Sequence, residues 1–161
     1  MTIKRNVSHY WLRSMALLTS AALLSCASHS SIKPFTTDGC SLFPDRSIIS
    51  SKDWCGCCVV HDLAYWRGGT AEQRLSADRA LQACVAQSTG DKALAELMFS
   101  GVRAGGGPHY FTTYRWGYGW PFGRQYKPLT SEETAEADAL ERQYRAVHPV
   151  LSCPNMSTQT R

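Results

Sequence analysis

The chain has 161 residues, room for one domain of ordinary size. Its net charge of +4 is mild and its Lys and Arg residues are scattered, which argues against a nucleic-acid partner. Seven cysteines in so short a chain make the redox compartment the first question.

The N-terminus addresses that question. Lys4, Arg5 and Arg13 precede the apolar run "MALLTSAALLSC", which ends in small residues. A basic stretch, a short apolar core and a processing site make up an export signal. Met15 to Ser25 falls well below the roughly 20 apolar residues of a spanning helix. The end of the run, "LLSC", resembles the lipobox of bacterial lipoproteins, with Leu23 and Ser25 in the usual places and Cys26 as the lipidated residue; plain cleavage nearby is the alternative. Giving Cys26 to a lipid leaves six cysteines, the even count that disulfides need in an oxidising compartment. The expected divisions are residues 1–26 as signal and lipobox, 27–36 as tether, 37–150 as the folded domain and 151–161 as tail. The expected location is the periplasm or outer membrane, as a lipoprotein, or outside the cell.

Along the mature chain, residues 27–52 are rich in Ser, Thr, Pro and Asp and read as tether and loop. From Trp54 to about Trp66 the residues suit a buried helix, which "RGGT" stops because paired glycines favour a C-cap conformation. Thr70 starts a second helix: Thr70 and Gln73 have capping-box spacing, and "AEQRLSADRALQACVAQ" is rich in helix formers. A third helix is predicted over Asp91 to Arg103, ending at "GGGP". The aromatic, glycine-rich "HYFTTYRWGYGWPFGRQY" is expected to be irregular or a short hairpin. A last helix runs from Thr130, paired with Glu133 in capping-box spacing, to about Val147, with most of its acidic, Ala-rich surface solvated. The tail needs a covalent tie, and Cys153 offers one. The fold class is mainly α.

The loop at Gly69 and Thr70 is so short that the first two helices must form an antiparallel hairpin. Facing residues then lie equidistant from the turn centre between Thr70 and Ala71. Cys57 and Cys84 satisfy this condition and are expected to bridge; Ala64 and Ala77 satisfy it too, so the helices approach closely there. Cys57, His61 and Tyr65 follow at i, i+4 and i+8, along one face of the first helix. Asp78 falls opposite the midpoint of His61 and Tyr65, where its carboxylate can accept from an imidazole and a phenol. A buried carboxylate needs such donors, and a histidine base needs an orienting acid. A purely structural polar network is the plainer alternative. Asp62 lies on a neighbouring face, free for another task.

These residues resemble a known family. "CCVVHDLAY" is similar to the catalytic-helix motif of secreted phospholipases A2, CCxxHDxCY, with alanine at the third cysteine. The resemblance implies that His61 is the general base, that Asp62 binds calcium and that Tyr65 supports the orienting acid. In "ADRALQAC", Asp78 and Cys84 match the spacing of the family's second helix, and Ala77 replaces its cysteine. The cysteines replaced by Ala64 and Ala77 bond to each other in the family, so that bridge is lost as a unit.

Upstream, "TTDGCSLFPD" lacks the glycine-rich calcium loop of the animal enzymes and is more similar to the bacterial and fungal branch. That resemblance implies a calcium site from Asp38, the Gly39 carbonyl and Asp62, an all-oxygen set that suits the ion; an Asp-Gly turn is the plainer reading of Asp38. It also implies a Cys40–Cys58 bond. Cys55 and Cys153 are then paired by elimination. The resemblance covers roughly Thr37 to Cys84, and nothing from Asp91 onward has a matching counterpart.

The implied fold is a phospholipase A2-like, disulfide-linked helical hairpin with a calcium loop and an additional helical C-terminal part. The implied activity is calcium-dependent hydrolysis of the sn-2 ester of glycerophospholipids at a membrane surface, with a non-catalytic lipid- or protein-binding lipoprotein as the alternative. A zinc site from Cys55, Cys57, Cys58 and His61 is disfavoured by export and by the even cysteine count. Tyr114 to Phe122 suits either a membrane interface or an aromatic mini-core, and Arg103 or Arg115 is placed to meet a phosphate.

Overall fold

A computed structural model describes residues 32–151 and Cys153. The expected signal segment and Cys26 lie outside the described residues. Within them the chain forms four helices and no strand: α1 (Cys55–Arg67), α2 (Ala71–Thr89), α3 (Lys92–Gly105) and α4 (Ser131–Val147). None is long and apolar enough to cross a membrane.

The starts of three helices follow from their caps. Thr70 Oγ1 accepts from the Gln73 amide while Gln73 Oε1 accepts from the Thr70 amide, closing a reciprocal box at the start of α2. Thr130 and Glu133 repeat the arrangement at α4. Asp91 caps α3 by accepting from the Leu94 amide.

Helix α1 is the centre of the molecule. Nine of its 13 residues are buried, as suits a helix apolar on most sides. One side packs Cys55, Val59, Leu63 and Trp66 against Ile32, Phe35, Trp120 and, from α4, Ala137. The other packs Cys57 and Cys58 against Leu81 and Val85 of α2 and Ala95 and Met98 of α3. Three disulfides radiate from the first turn of α1: Cys40–Cys58 to the preceding loop, Cys57–Cys84 to α2, and Cys55–Cys153 to the tail. The adjacent cysteines thus hold three separate parts of the chain, and none is a free thiolate for zinc.

One expectation needs correction. Residues 32–36 belong to the fold rather than to a tether: Ile32 and Phe35 are core residues, Trp66 Nε1 donates to the Lys33 carbonyl at 2.7 Å, and the Lys33 amide donates to Gly119 O at 2.8 Å. Of the two forms expected for the aromatic segment the irregular one is observed, a series of turns with Trp116 and Trp120 in the core and Phe111 stacked on Phe122 outside it.

Candidate active site

The i, i+4 spacing on α1 stacks His61 and Tyr65, whose rings lie 4.2 Å apart, on the face that meets α2. There His61 Nε2 and Tyr65 Oη both reach Asp78 Oδ1, at 2.9 and 2.8 Å. Asp78 is 0% exposed. Burial works to raise its pKa, but bonds from His61, Arg103 and Tyr65 outweigh that and hold it below the usual range. An ionised carboxylate only accepts, so His61 Nε2 must carry the proton it shares with Asp78, and the lone pair falls on Nδ1. Burial, followed by the Asp78 charge, pushes the Tyr65 phenol upward, which keeps it a neutral donor.

Two arginines complete this network. Arg103 Nη1 donates to the other carboxylate oxygen, Asp78 Oδ2, at 2.6 Å. Arg74 Nε donates to Tyr65 Oη at 2.9 Å, while its Nη1 and Nη2 reach Tyr126 Oη and the carbonyls of Val102 and Arg103. Neither support was foreseen. Arg74 had a legible signal, since it sits one helical turn before Asp78, but Arg103 comes from a different helix and had none.

His61 lines an apolar cavity of about 150 Å³, with Leu42, Phe43, Leu81, Met98 and Val102 among its walls. Next to it lies a polar recess of about 180 Å³ lined by Thr37, Asp38, Ser41, Asp62, Tyr114 and Tyr118 among others. Ser41, Asp62 and Tyr114 line both, so the two cavities adjoin. Every side chain of the recess ends in a hydroxyl or carboxylate and no nitrogen base enters it. Burial pushes the Asp62 carboxyl up to about 7; the Thr37 hydrogen bond opposes this, and the charges of Asp38 and Asp45 add to it. Carboxylate and hydroxyl oxygens, here a buried Asp62 beside an exposed Asp38, are the donors that a hard divalent cation takes.

Thr37 Oγ1 donates to Asp62 Oδ2 at 2.6 Å and Ser41 Oγ donates to Asp38 Oδ1 at 2.6 Å, so each carboxylate is already oriented. Gly39, expected to offer its carbonyl, is not among the residues lining the recess. Its φ of +85° and the approach of Asp45 Oδ1, 2.5 Å from where a Cβ would stand, explain the glycine on backbone grounds. The second acidic grouping, Asp45 with Cys55 and Cys153, offers no metal site because its two sulfurs are bonded to each other.

The expectation for Arg115 also needs correction. Its buried guanidinium donates to the carbonyls of Gly117 and Trp120, both at 2.7 Å, and so braces the turn that presents Trp116 and Trp120. Arg103 is engaged by Asp78 and lines neither cavity.

No protein-family model, curated protein or solved structure matches this chain. Over the described residues, the fold and site define a mainly helical, three-disulfide domain with a buried histidine–aspartate pair whose histidine lines an apolar cavity adjoining an oxygen-lined one.

Proposed function

We propose that the protein is a calcium-dependent hydrolase of the phospholipase A2 type, acting on the sn-2 ester of glycerophospholipids. The observation that carries this reading is the adjoining pair of cavities: His61, tied through Nε2 to a buried Asp78, lines the apolar one, and its sequence neighbour Asp62 lines both that cavity and the oxygen-lined recess. Calcium would be held by Asp38 and Asp62 of the recess, and when bound it would supply a Lewis acid for the ester oxygen.

The chain's own residues do the rest. His61 Nδ1 accepts a proton from water as the water oxygen bonds to the ester carbon, and returns it to the departing glycerol oxygen. Asp78 fixes the tautomer that leaves Nδ1 unprotonated and stabilises the imidazolium that forms. Tyr65 holds Asp78 Oδ1 from the side. The apolar walls receive the acyl chain and exclude water from the reacting ester. Leu42, 87% exposed yet part of the cavity wall, suits a mouth that opens onto lipid.

The test is release of fatty acid from phospholipid vesicles with calcium and with chelator. Calcium-dependent release is expected. Release that chelator leaves untouched, or no release under either condition, overturns the reading.

A further inference from the structure

We propose that Arg103 is a positioning residue for the His61–Asp78 pair, locking the Asp78 carboxylate from the last turn of α3 so that Oδ1 stays turned to the imidazole. Its effect on rate rests on the hydrolase reading; its effect on the histidine tautomer does not.

A carboxylate rotates easily about its last bond, since that torsion has a broad, roughly two-fold profile. Oδ1 of Asp78 is pinned by His61 and Tyr65, but both donors pull on one atom. Oδ2 has Arg74 Nε only at 3.8 Å, beyond hydrogen-bonding reach, so its one close partner among the described residues is Arg103 Nη1 at 2.6 Å. Removing that partner leaves a fully buried anionic oxygen unmatched, and rotation toward another donor would relieve it. Such a rotation moves Oδ1 away from His61.

Arg103 can act as a lock because its own backbone is held. Arg74 Nη2 donates to the Arg103 carbonyl at 3.0 Å and to the Val102 carbonyl at 2.7 Å, at the end of α3, where the Val102 carbonyl also accepts from the Gly106 amide at 2.9 Å. The same guanidinium grips Tyr65 through Nε. Arg74 is therefore a strut between α3 and the phenol, and Arg103 reaches back from α3 to the acid. At 34% exposure the Arg103 side chain spans from surface to buried carboxylate, and its charge at a helix C-terminus is favourably placed.

The test compares wild type with Arg103→Met and Arg103→Lys. Two readouts are taken: steady-state hydrolysis of phospholipid vesicles, and the ¹⁵N resonances of the His61 ring in folded protein. Arg103→Met is expected to lower kcat about 10- to 100-fold with KM within about twofold, as a misplaced catalytic group does. Its His61 ring is expected to change from the single Nε2-protonated form to a mixture. Arg103→Lys, which keeps a donor to Oδ2, is expected to recover most of both. If Arg103→Met keeps kcat and the single tautomer, the proposal is overturned. If wild type hydrolyses nothing but the tautomer still changes, the hydrolase reading falls and the positioning role stands. If Arg103→Met does not fold, Arg103→Ala, which also removes the donor, supplies the comparison, and an unchanged ring in folded Arg103→Ala overturns the proposal.

Discussion

Thr37 and Asp62 are 25 residues apart in sequence, yet the threonine hydroxyl sits 2.6 Å from Asp62 Oδ2. That bond joins the loop before the first disulfide to the middle of α1 and sets the direction of a carboxylate buried among negative charges. The same hydroxyl accepts from the Gly39 amide at 3.1 Å, so one side chain fixes both the loop and the acid.

A group that orients a ligand without touching the metal typically tunes affinity about 10- to 100-fold. Thr37→Val keeps the shape and removes the hydroxyl. Calorimetric calcium titration is expected to show a loss of affinity in that range, with the melting temperature of the calcium-free protein little changed. Unaltered affinity would mean that Asp62 is not a ligand or needs no orienting.

Gly106 tests how tightly the end of α3 is fitted to the site. A Cβ there would lie 2.5 Å from the Tyr65 ring and 2.9 Å from the Val102 carbonyl, both in packed surroundings. Gly106→Ala is expected to cost about 1–3 kcal/mol, the usual penalty of overpacking. Urea denaturation reads that loss. Hydrolysis should fall more steeply than stability, because the ring that must move supports Asp78.

Arg115 distinguishes a brace from a phosphate site. Arg115→Met strips donors from the carbonyls of Gly117 and Trp120 and is expected to cost about 2–4 kcal/mol in urea denaturation. KM for phospholipid should hold in the folded fraction. A raised KM with intact stability would restore the phosphate role.

The Arg124–Glu133 pair gives a pH dependence away from the site. Both side chains are buried, and hydrogen bonds from Arg124 hold the Glu133 carboxyl down to about 2, from an ordinary 4.5. A depressed acid stabilises the fold when ionised, so its contribution is full above about pH 4.5 and is lost as pH falls toward 2. Glu133→Gln is expected to cost about 1–3 kcal/mol at pH 7, and the difference from wild type should shrink across that window. A difference independent of pH from 7 to 2 would contradict the pairing.

The sequence was most informative where chemistry is local. Thr70, Asp91 and Thr130 mark the helix starts because capping needs a particular side chain at a particular place. His61, Tyr65 and Asp78 meet because helical periodicity and a two-glycine turn leave the hairpin little freedom of register. Arg103 was not legible, since nothing in a helical pattern says which distant acid a guanidinium will reach. Nor was the burial of Ile32 and Phe35, two apolar residues in a polar stretch with no period to reveal their face. The aromatic segment divided between core and surface by backbone turns that Arg115 braces, a long-range arrangement that composition does not encode.

The central claim is that His61 is a base for sn-2 ester hydrolysis. Vesicles of phospholipid with isotopically distinct sn-1 and sn-2 chains, with calcium present, test it directly in wild type and His61→Gln. The expected result is release of the sn-2 acid alone by wild type, and a rate at least about 100-fold lower for the variant with its fold intact. Equal release by the two proteins, or release of the sn-1 chain instead, would contradict it.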